Sequence, residues 1–319
     1  MYNTCDRVNW AMKRFLIRFL KRFNLLTFVN LSVKIQVDQK TFNIPIVGGL
    51  GLDNLNLAES WMTDLLKKVK PFFLGAFVDV GVNEGQTFLQ AYSIKPDLRY
   101  IGFEPNPTCI HSVKQLLKKN GVKNAKLIPV GLGNSAEIIA LNFFQDVETD
   151  SSASIIENFR PNEPVHHSQY VPIFDYKHIR SMLPEMGHCL LKIDVEGAEL
   201  EVLSTLSEWI EKCQPLILIE ILPVYTPNNE FRLARQLQIE ALVEKWQYKI
   251  ARVNKSNAVS LTKLNEIGIH GNIEECYYVF YPAELEPGLR SLLTDKSQIE
   301  IKAGQPVESN FLLDQNIQL

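Results

Sequence analysis

The 319-residue chain contains no apolar run long enough to span a bilayer, no Cys-x-x-Cys pair, no internal repeat and no low-complexity tract. Each absence closes a class of function. A membrane span needs about 20 consecutive apolar residues, and none is present. The five cysteines, Cys5, Cys109, Cys189, Cys213 and Cys276, are odd in number and scattered. That pattern argues against a disulfide framework or a zinc site and for reduced thiols in a cytoplasmic protein. Charge of one sign is also missing. With 33 Lys and Arg against 36 Asp and Glu, the net charge of -3 gives no sign of a nucleic-acid surface, which needs clustered Lys and Arg. A secretory leader is not expected either, because charges interrupt every part of the N-terminal apolar region.

What is present is enough apolar material, 46% of the chain, for a core of one or two domains. The segment from Trp10 to Leu26 reads as a basic amphipathic helix. Met12, Phe15, Leu16, Phe19, Leu20, Phe23 and Leu26 share one side, and Arg14, Arg18, Lys21 and Arg22 another. Its apolar face packs on the rest of the protein or on a second subunit. The alternative is peripheral contact with an acidic membrane surface.

From Phe72 onward, short apolar runs alternate with helical patterns, which predicts parallel strands joined by crossover helices. "GAFVDVG", "RYIGFEP", "AKLIPVGLG", "CLLKIDVEG" and "PLILIEIL" are the strands; "EIIALNFF" is a strand outside the strict alternation. "YKIARVN", "AVSLTK" and "CYYVFYP" close the sheet, partly antiparallel. The expected fold is α/β, a doubly wound and mostly parallel sheet preceded by a helical extension. The boundaries are 1–70 for the extension, 71–290 for the domain and 291–319 for a tail.

In such a sheet, ligands bind outside the carboxyl ends of the strands. Three strands here end on acids, Asp79, Glu104 and Asp194. Glu104 follows the turn "DVGVNEG" by about twenty residues, where dinucleotide folds keep the acid that accepts from ribose hydroxyls. An adenosine ligand fits that spacing. A pyrophosphate fits less well, because Asn83 replaces the middle glycine and Glu84 adds negative charge to the turn. S-adenosylmethionine carries no phosphate, and Asp79 can face its positive end.

"FVDVGVNEGQT", "YIGFEPNP", "LLKIDVEGAELEVL" and "LILIEI" occur in the order and spacing of the FkbM family of S-adenosylmethionine-dependent methyltransferases, which the chain resembles from about Phe42 to Pro282. "NIPIVGGLGLDNLNLAESWM" and "DSSAS" resemble the family too. The resemblance implies a class I methyltransferase fold with a seven-stranded sheet and methyl transfer to a hydroxyl of a sugar, glycan or secondary metabolite. It also implies that Asp79, Gly81, Asn83, Gly85, Gln86 and Thr87 form the cofactor turn. Glu104 would then hold the ribose, with Pro105 and Asn106 beside the adenine.

Transfer from a sulfonium to an alcohol requires alignment, exclusion of water and the handling of one proton. Asp194, Glu196 and Glu220 are the catalytic candidates, with Glu199 nearby. Three such carboxylates can also bind a divalent cation. The competing view is that acids at a helix start favour its dipole and caps. Ser152, within the "DSSAS" loop, is a candidate hydroxyl contact on a lid. His166 and His167 are read as exposed outsiders. Two other functions share the pattern: a nicotinamide-dependent oxidoreductase on the same fold, and a non-catalytic scaffold that docks through residues 10–26.

Overall fold

The computed structural model describes residues 22, 25, 30–57, 59–185, 188–255 and 258–294. The stretch 10–26 therefore lies outside the described residues, Arg22 and Leu25 excepted, as does the tail after Thr294.

The extension begins as a hairpin, β1 (Asn30–Val37) and β2 (Lys40–Val47), and only then enters a helix, α1 (Ser60–Val69). Helix alone is the expectation from sequence; the reason for the difference is a period of two. Phe42, Ile44 and Ile46 alternate along β2 and are fully buried. Asp38, at φ 51°, turns the chain between the paired Val37 and Lys40. Asn120 then pins β2 to the body. Its side chain accepts from the Asn43 N–H and donates to the Asn43 carbonyl, both at 2.8 Å.

The domain proper runs β3 (Ala76–Val80), α2 (Gln86–Ile94), β4 (Tyr100–Phe103), α3 (Pro107–Lys119) and β5 (Ala125–Ile128). Next come β6 (Gly131–Leu132), β7 (Glu137–Phe143) and β8 (His167–Phe174), which pair with one another as a separate small sheet. The strand "EIIALNFF" is thus outside the main alternation, as its pattern indicates. Alternation resumes with β9 (Cys189–Ile193), α4 (Glu199–Cys213), β10 (Leu216–Glu220) and α5 (Glu230–Lys245). The chain ends in β11 (Tyr248–Asn254), β12 (Ser260–Leu264), β13 (Tyr277–Pro282) and β14 (Leu293–Thr294).

The main sheet has the order β14-β12-β11-β13-β10-β9-β3-β4-β5. Its seven strands from β5 to β11 are the expected sheet; β12 and β14 extend one edge. Among those seven, β13 alone runs against its neighbours β10 and β11. The central strands β3 and β9 are buried along their whole length, which requires apolar residues on both faces. Phe77 and Leu190 face one core with Leu66, Phe88 and Val113 from α1, α2 and α3. Val78 and Leu191 face the other with Leu203, Leu206 and Val243 from α4 and α5. β3 pairs with β4, the next strand in the chain, on one side and with β9, which arrives only after β8, on the other. Strand order reverses beside β3, and a crevice opens at the carboxyl ends there.

Candidate functional site

A cleft of about 360 Å³ occupies that crevice. Its first wall is the turn after β3. Gly81 has φ 85°, and a Cβ there would lie 1.8 Å from the carbonyl oxygen of Asp194. Only glycine lets β3 and β9 come this close. Asn83, at φ 48°, carries the chain on to Gly85, the N-cap of α2. The Asn83 N–H donates to Glu104 Oε2 at 2.8 Å, and the Asn106 N–H donates to Oε1 at 2.9 Å. The carboxylate is thereby fixed, yet each oxygen retains a lone pair for a further donor. Burial pushes its carboxyl up to about 7 against the pull of these two amides. Pro105, Asn106 and Cys109 line the same end. Asn106 also caps α3 through the Thr108 N–H at 2.9 Å and holds the Glu148 carbonyl of the long loop at 2.8 Å.

The opposite end is acidic. Asp194, Glu196 and Glu220 bring carboxylate oxygens within 4.8 Å of one another, a set that could hold a metal ion. Two cations already neutralise part of it. Lys192 Nζ lies 3.3 Å from Asp194 Oδ2 and 3.4 Å from Asp79 Oδ1, and donates to the Gly81 carbonyl at 2.9 Å. Burial opposes its charge, but Asp194 and Asp79 hold its ammonium above the ordinary value. Arg160 binds Glu196 Oε2 at 2.7 Å. Burial and the Asp194 charge nevertheless raise Glu196 to about 7. Glu220 has no cation within ion-pair distance among the described residues. It accepts from Cys276 Sγ at 2.9 Å, and burial followed by the Asp194 charge pushes its carboxyl far up. Glu220 is therefore held in its protonated form, while Asp194 has the Lys192 ammonium beside it.

The loop after β7 covers this end. Asp150 accepts from the N–H groups of Phe144 and Gln145, at 2.8 and 3.0 Å, and from the Ser152 N–H and hydroxyl, at 2.9 and 2.6 Å. Burial opposes ionisation there, but those hydrogen bonds hold the carboxyl low. Ser154 donates to the Glu196 carbonyl at 2.7 Å, so the loop is fastened to the turn before α4.

Several expected residues meet in the cleft: Gly81, Asn83, Gln86 and Thr87 along the wall after β3, Glu104, Pro105 and Asn106 at one end, and Asp194, Glu196 and Glu220 at the other. Others do not. Asp79 is fully buried behind the cleft, between the Tyr100 hydroxyl and Lys192, and does not face a ligand's positive end. Gly85 shapes the turn without lining the cleft. The Ser152 hydroxyl is held by Asp150, and the neighbouring Ser151 lines the cleft instead. Glu199 accepts from the Gly197 N–H at 2.9 Å and serves its own helix. Glu84 also lines the cleft, with its carboxylate held by the Gly51 N–H at 2.7 Å. His166 and His167 stand off the cleft, the latter stacked on Phe143 at 4.3 Å.

Residues that sequence reasoning missed come from both ends of the chain. Asp53 and Glu59 of the extension and Tyr277 of β13 line the cleft. The Tyr277 hydroxyl lies 3.5 Å from Asp194 Oδ2, and its ring packs edge-on against Trp61 at 4.7 Å. Burial keeps its phenol protonated. Burial and the Asp194 charge also raise Glu59. The one available signal for Tyr277 was its place at the start of a strand that runs antiparallel.

A family model described as the methyltransferase FkbM domain matches residues 79–250, more than half of the chain. Methyltransferase sdnD of Sordaria araneosa is 27% identical over 201 residues, which cover 55% of this chain and 74% of that protein. Methyltransferase 1 of Beauveria bassiana is 27% identical over 155 residues, 44% of this chain and 62% of that one. A crystal structure of methyltransferase FkbM from Methylobacillus flagellatus KT overlaps 65% of this chain and 43% of its own, at 14% identity and a TM-score of 0.41.

Proposed function

Because the chain belongs to the FkbM methyltransferase family, we propose that it uses S-adenosylmethionine to methylate a hydroxyl of a small molecule or glycan. The observation that carries this reading is Glu104, held by two backbone amides at one end of a cleft whose other end is a carboxyl cluster. The donor set fits this cofactor. A vicinal diol needs two acceptor lone pairs at a fixed carboxylate, and Glu104 has them. A pyrophosphate needs free cations or a second glycine, but Asn83 fills the glycine position and Lys192 is engaged by three oxygens. When bound, the cofactor supplies an activated methyl group.

The chain's own residues do the rest. Glu104, Pro105 and Asn106 hold the adenosine end, and Gly81, Asn83, Gln86 and Thr87 form the wall between the two ends. Asp194 takes the acceptor's proton. Glu220, already protonated, hydrogen-bonds Asp194 and keeps a second negative charge out of the site. Tyr277 remains a donor and orients the acceptor oxygen against Asp194. The loop fastened by Arg160 and Ser154 to the Glu196 turn excludes water. Lys192 and Arg160 already balance Asp194 and Glu196, so no divalent cation is required in this reading.

Calorimetric titration of the purified protein with S-adenosylmethionine, S-adenosylhomocysteine and NAD tests it, beside a Glu104→Ala variant. Binding of the first two, lost in the variant, is the expected result. Binding of NAD alone means an oxidoreductase; silence from all three means a scaffold. Residues 10–26 add a second element, a peripheral membrane or homodimer contact. Deleting everything before Leu31 should then change vesicle binding or sedimentation, and no change in either removes both contacts. No helix among the described residues is long and apolar enough to cross a membrane.

A further inference from the structure

The Glu84 carboxylate has no role in the chemistry above, yet it is 4% exposed and sits inside the cofactor turn. Its partners come from far away. Oε1 accepts from the Gly51 N–H at 2.7 Å and from the Ser112 hydroxyl at 3.2 Å. The Glu84 carbonyl accepts from Asn54 Nδ2 at 2.7 Å, and Asn54 is itself 1% exposed. Both Gly51 and Asn54 belong to the segment between β2 and α1, which precedes the residues 79–250 that the family model matches. A third bond, from Gln90 Nε2 of α2 to the Glu59 carbonyl at 2.8 Å, anchors the far end of that segment. Between these anchors, Asp53 and Glu59 line the cleft. The segment is also shaped for close approach: a Cβ on Gly51, at φ 87°, would meet the Pro45 carbonyl oxygen at 2.4 Å.

We propose that Glu84 is a positioning residue that latches the extension to the cofactor turn, so that Asp53 and Glu59 form a wall of the site and cofactor binding depends on the segment that carries them. Resting on the methyltransferase reading, the proposal adds that residues 79–250 alone are an incomplete site. Two residues of the turn flank Glu84 in sequence: Asn83, whose N–H holds Glu104, and Gly85, the N-cap of α2. Losing the latch frees the turn to relax away from Glu104 and leaves Glu84 buried without its donor. A glutamine at this position keeps an acceptor oxygen for the Gly51 N–H.

Full-length wild type, Glu84→Ala, Glu84→Gln and Asn54→Ala are titrated with S-adenosylhomocysteine, and amide exchange of Gly51 is followed with and without it. Asn54 lies outside the cofactor turn, so any effect of its loss reaches the turn through the latch. The expected result is at least tenfold weaker binding in Glu84→Ala, a smaller loss in Asn54→Ala and near wild-type binding in Glu84→Gln. Bound S-adenosylhomocysteine should slow Gly51 exchange in the wild type and leave it fast in Glu84→Ala. Folded Glu84→Ala that binds within twofold of the wild type overturns the proposal. If Glu84→Ala does not fold, Asn54→Ala with unchanged affinity and unchanged Gly51 protection overturns it equally. A wild type that binds no S-adenosylhomocysteine but protects Gly51 through Glu84 would instead defeat the cofactor reading and leave a purely structural latch.

Discussion

Lys192 Nζ donates to the carbonyl oxygen of Gly81 at 2.9 Å, and so ties the carboxyl end of β9 to the turn after β3. In the parallel register Lys192 stands opposite Asp79, whose buried carboxylate it faces at 3.4 Å. One ammonium thus serves a strand carboxylate, a turn carbonyl and the candidate base Asp194. Removing one member of a buried ion pair costs about 3–5 kcal/mol, because the other is left uncompensated. Lys192→Met should lose stability of about that size in urea denaturation, and Asp79→Asn added to it should recover part. A single variant as stable as the wild type would show that the pair contributes nothing.

Gly81 and Gly121 both have positive φ, 85° and 65°, but their surroundings differ. A Cβ at Gly121 meets nothing within 4 Å, whereas one at Gly81 collides with backbone. Gly121→Ala should therefore cost only the left-handed strain, about 1 kcal/mol. Gly81→Ala must move β9 or the turn and should cost more than about 3 kcal/mol or prevent folding. Thermal denaturation of the two variants side by side separates conformational strain from close approach.

Much of this was legible because it is local. The acid-glycine turn, the apolar strands on either side and the distance to Glu104 are all patterns within about 30 residues. What the sequence hid was non-local. The burial of Asp79 depends on Tyr100 and Lys192, which reach it from neighbouring strands. Tyr277 enters the cleft because β13 inserts antiparallel between β10 and β11, an order that no single segment encodes. The hairpin of β1 and β2 was readable from the alternation of Phe42, Ile44 and Ile46, although Pro45 within that run weakens a strand assignment. Ser152 misled because a serine beside an aspartate serves a turn as readily as a ligand.

Burial pushes Glu199 up to about 7 from an ordinary value of 4.5. Between those two values the folded protein keeps a proton that the unfolded chain has released. Folding stability contributed by this group is complete below about 4.5 and is lost as pH rises through about 7. Glu104 and Glu196 shift in the same direction, so the wild type should be more stable at pH 5 than at pH 8 in urea. Glu199→Gln preserves an acceptor for the Gly197 N–H and removes one titration. It should flatten the decline by at most about 1.4 kcal/mol per pH unit. An unchanged slope would mean that Glu199 ionises in the folded protein much as it does in the unfolded chain.

Glu104→Gln looks conservative and should not be. Both carboxylate oxygens accept a backbone N–H, from Asn83 and from Asn106. An amide has one oxygen, so either orientation sets its NH₂ against a backbone donor and leaves that donor unpaired. A buried unpaired donor costs about 1–3 kcal/mol, and one acceptor for the ribose hydroxyls is lost as well. S-adenosylhomocysteine should bind Glu104→Gln at least tenfold more weakly than the wild type by calorimetry. Glu104→Asp retains two acceptor oxygens but withdraws them by one methylene, which lengthens both amide contacts. It should lose affinity while retaining more than the glutamine variant, because charge and acceptor count survive. If glutamine instead matches the wild type, the carboxylate does not hold the ribose and the adenosine end of the cleft must be sought elsewhere.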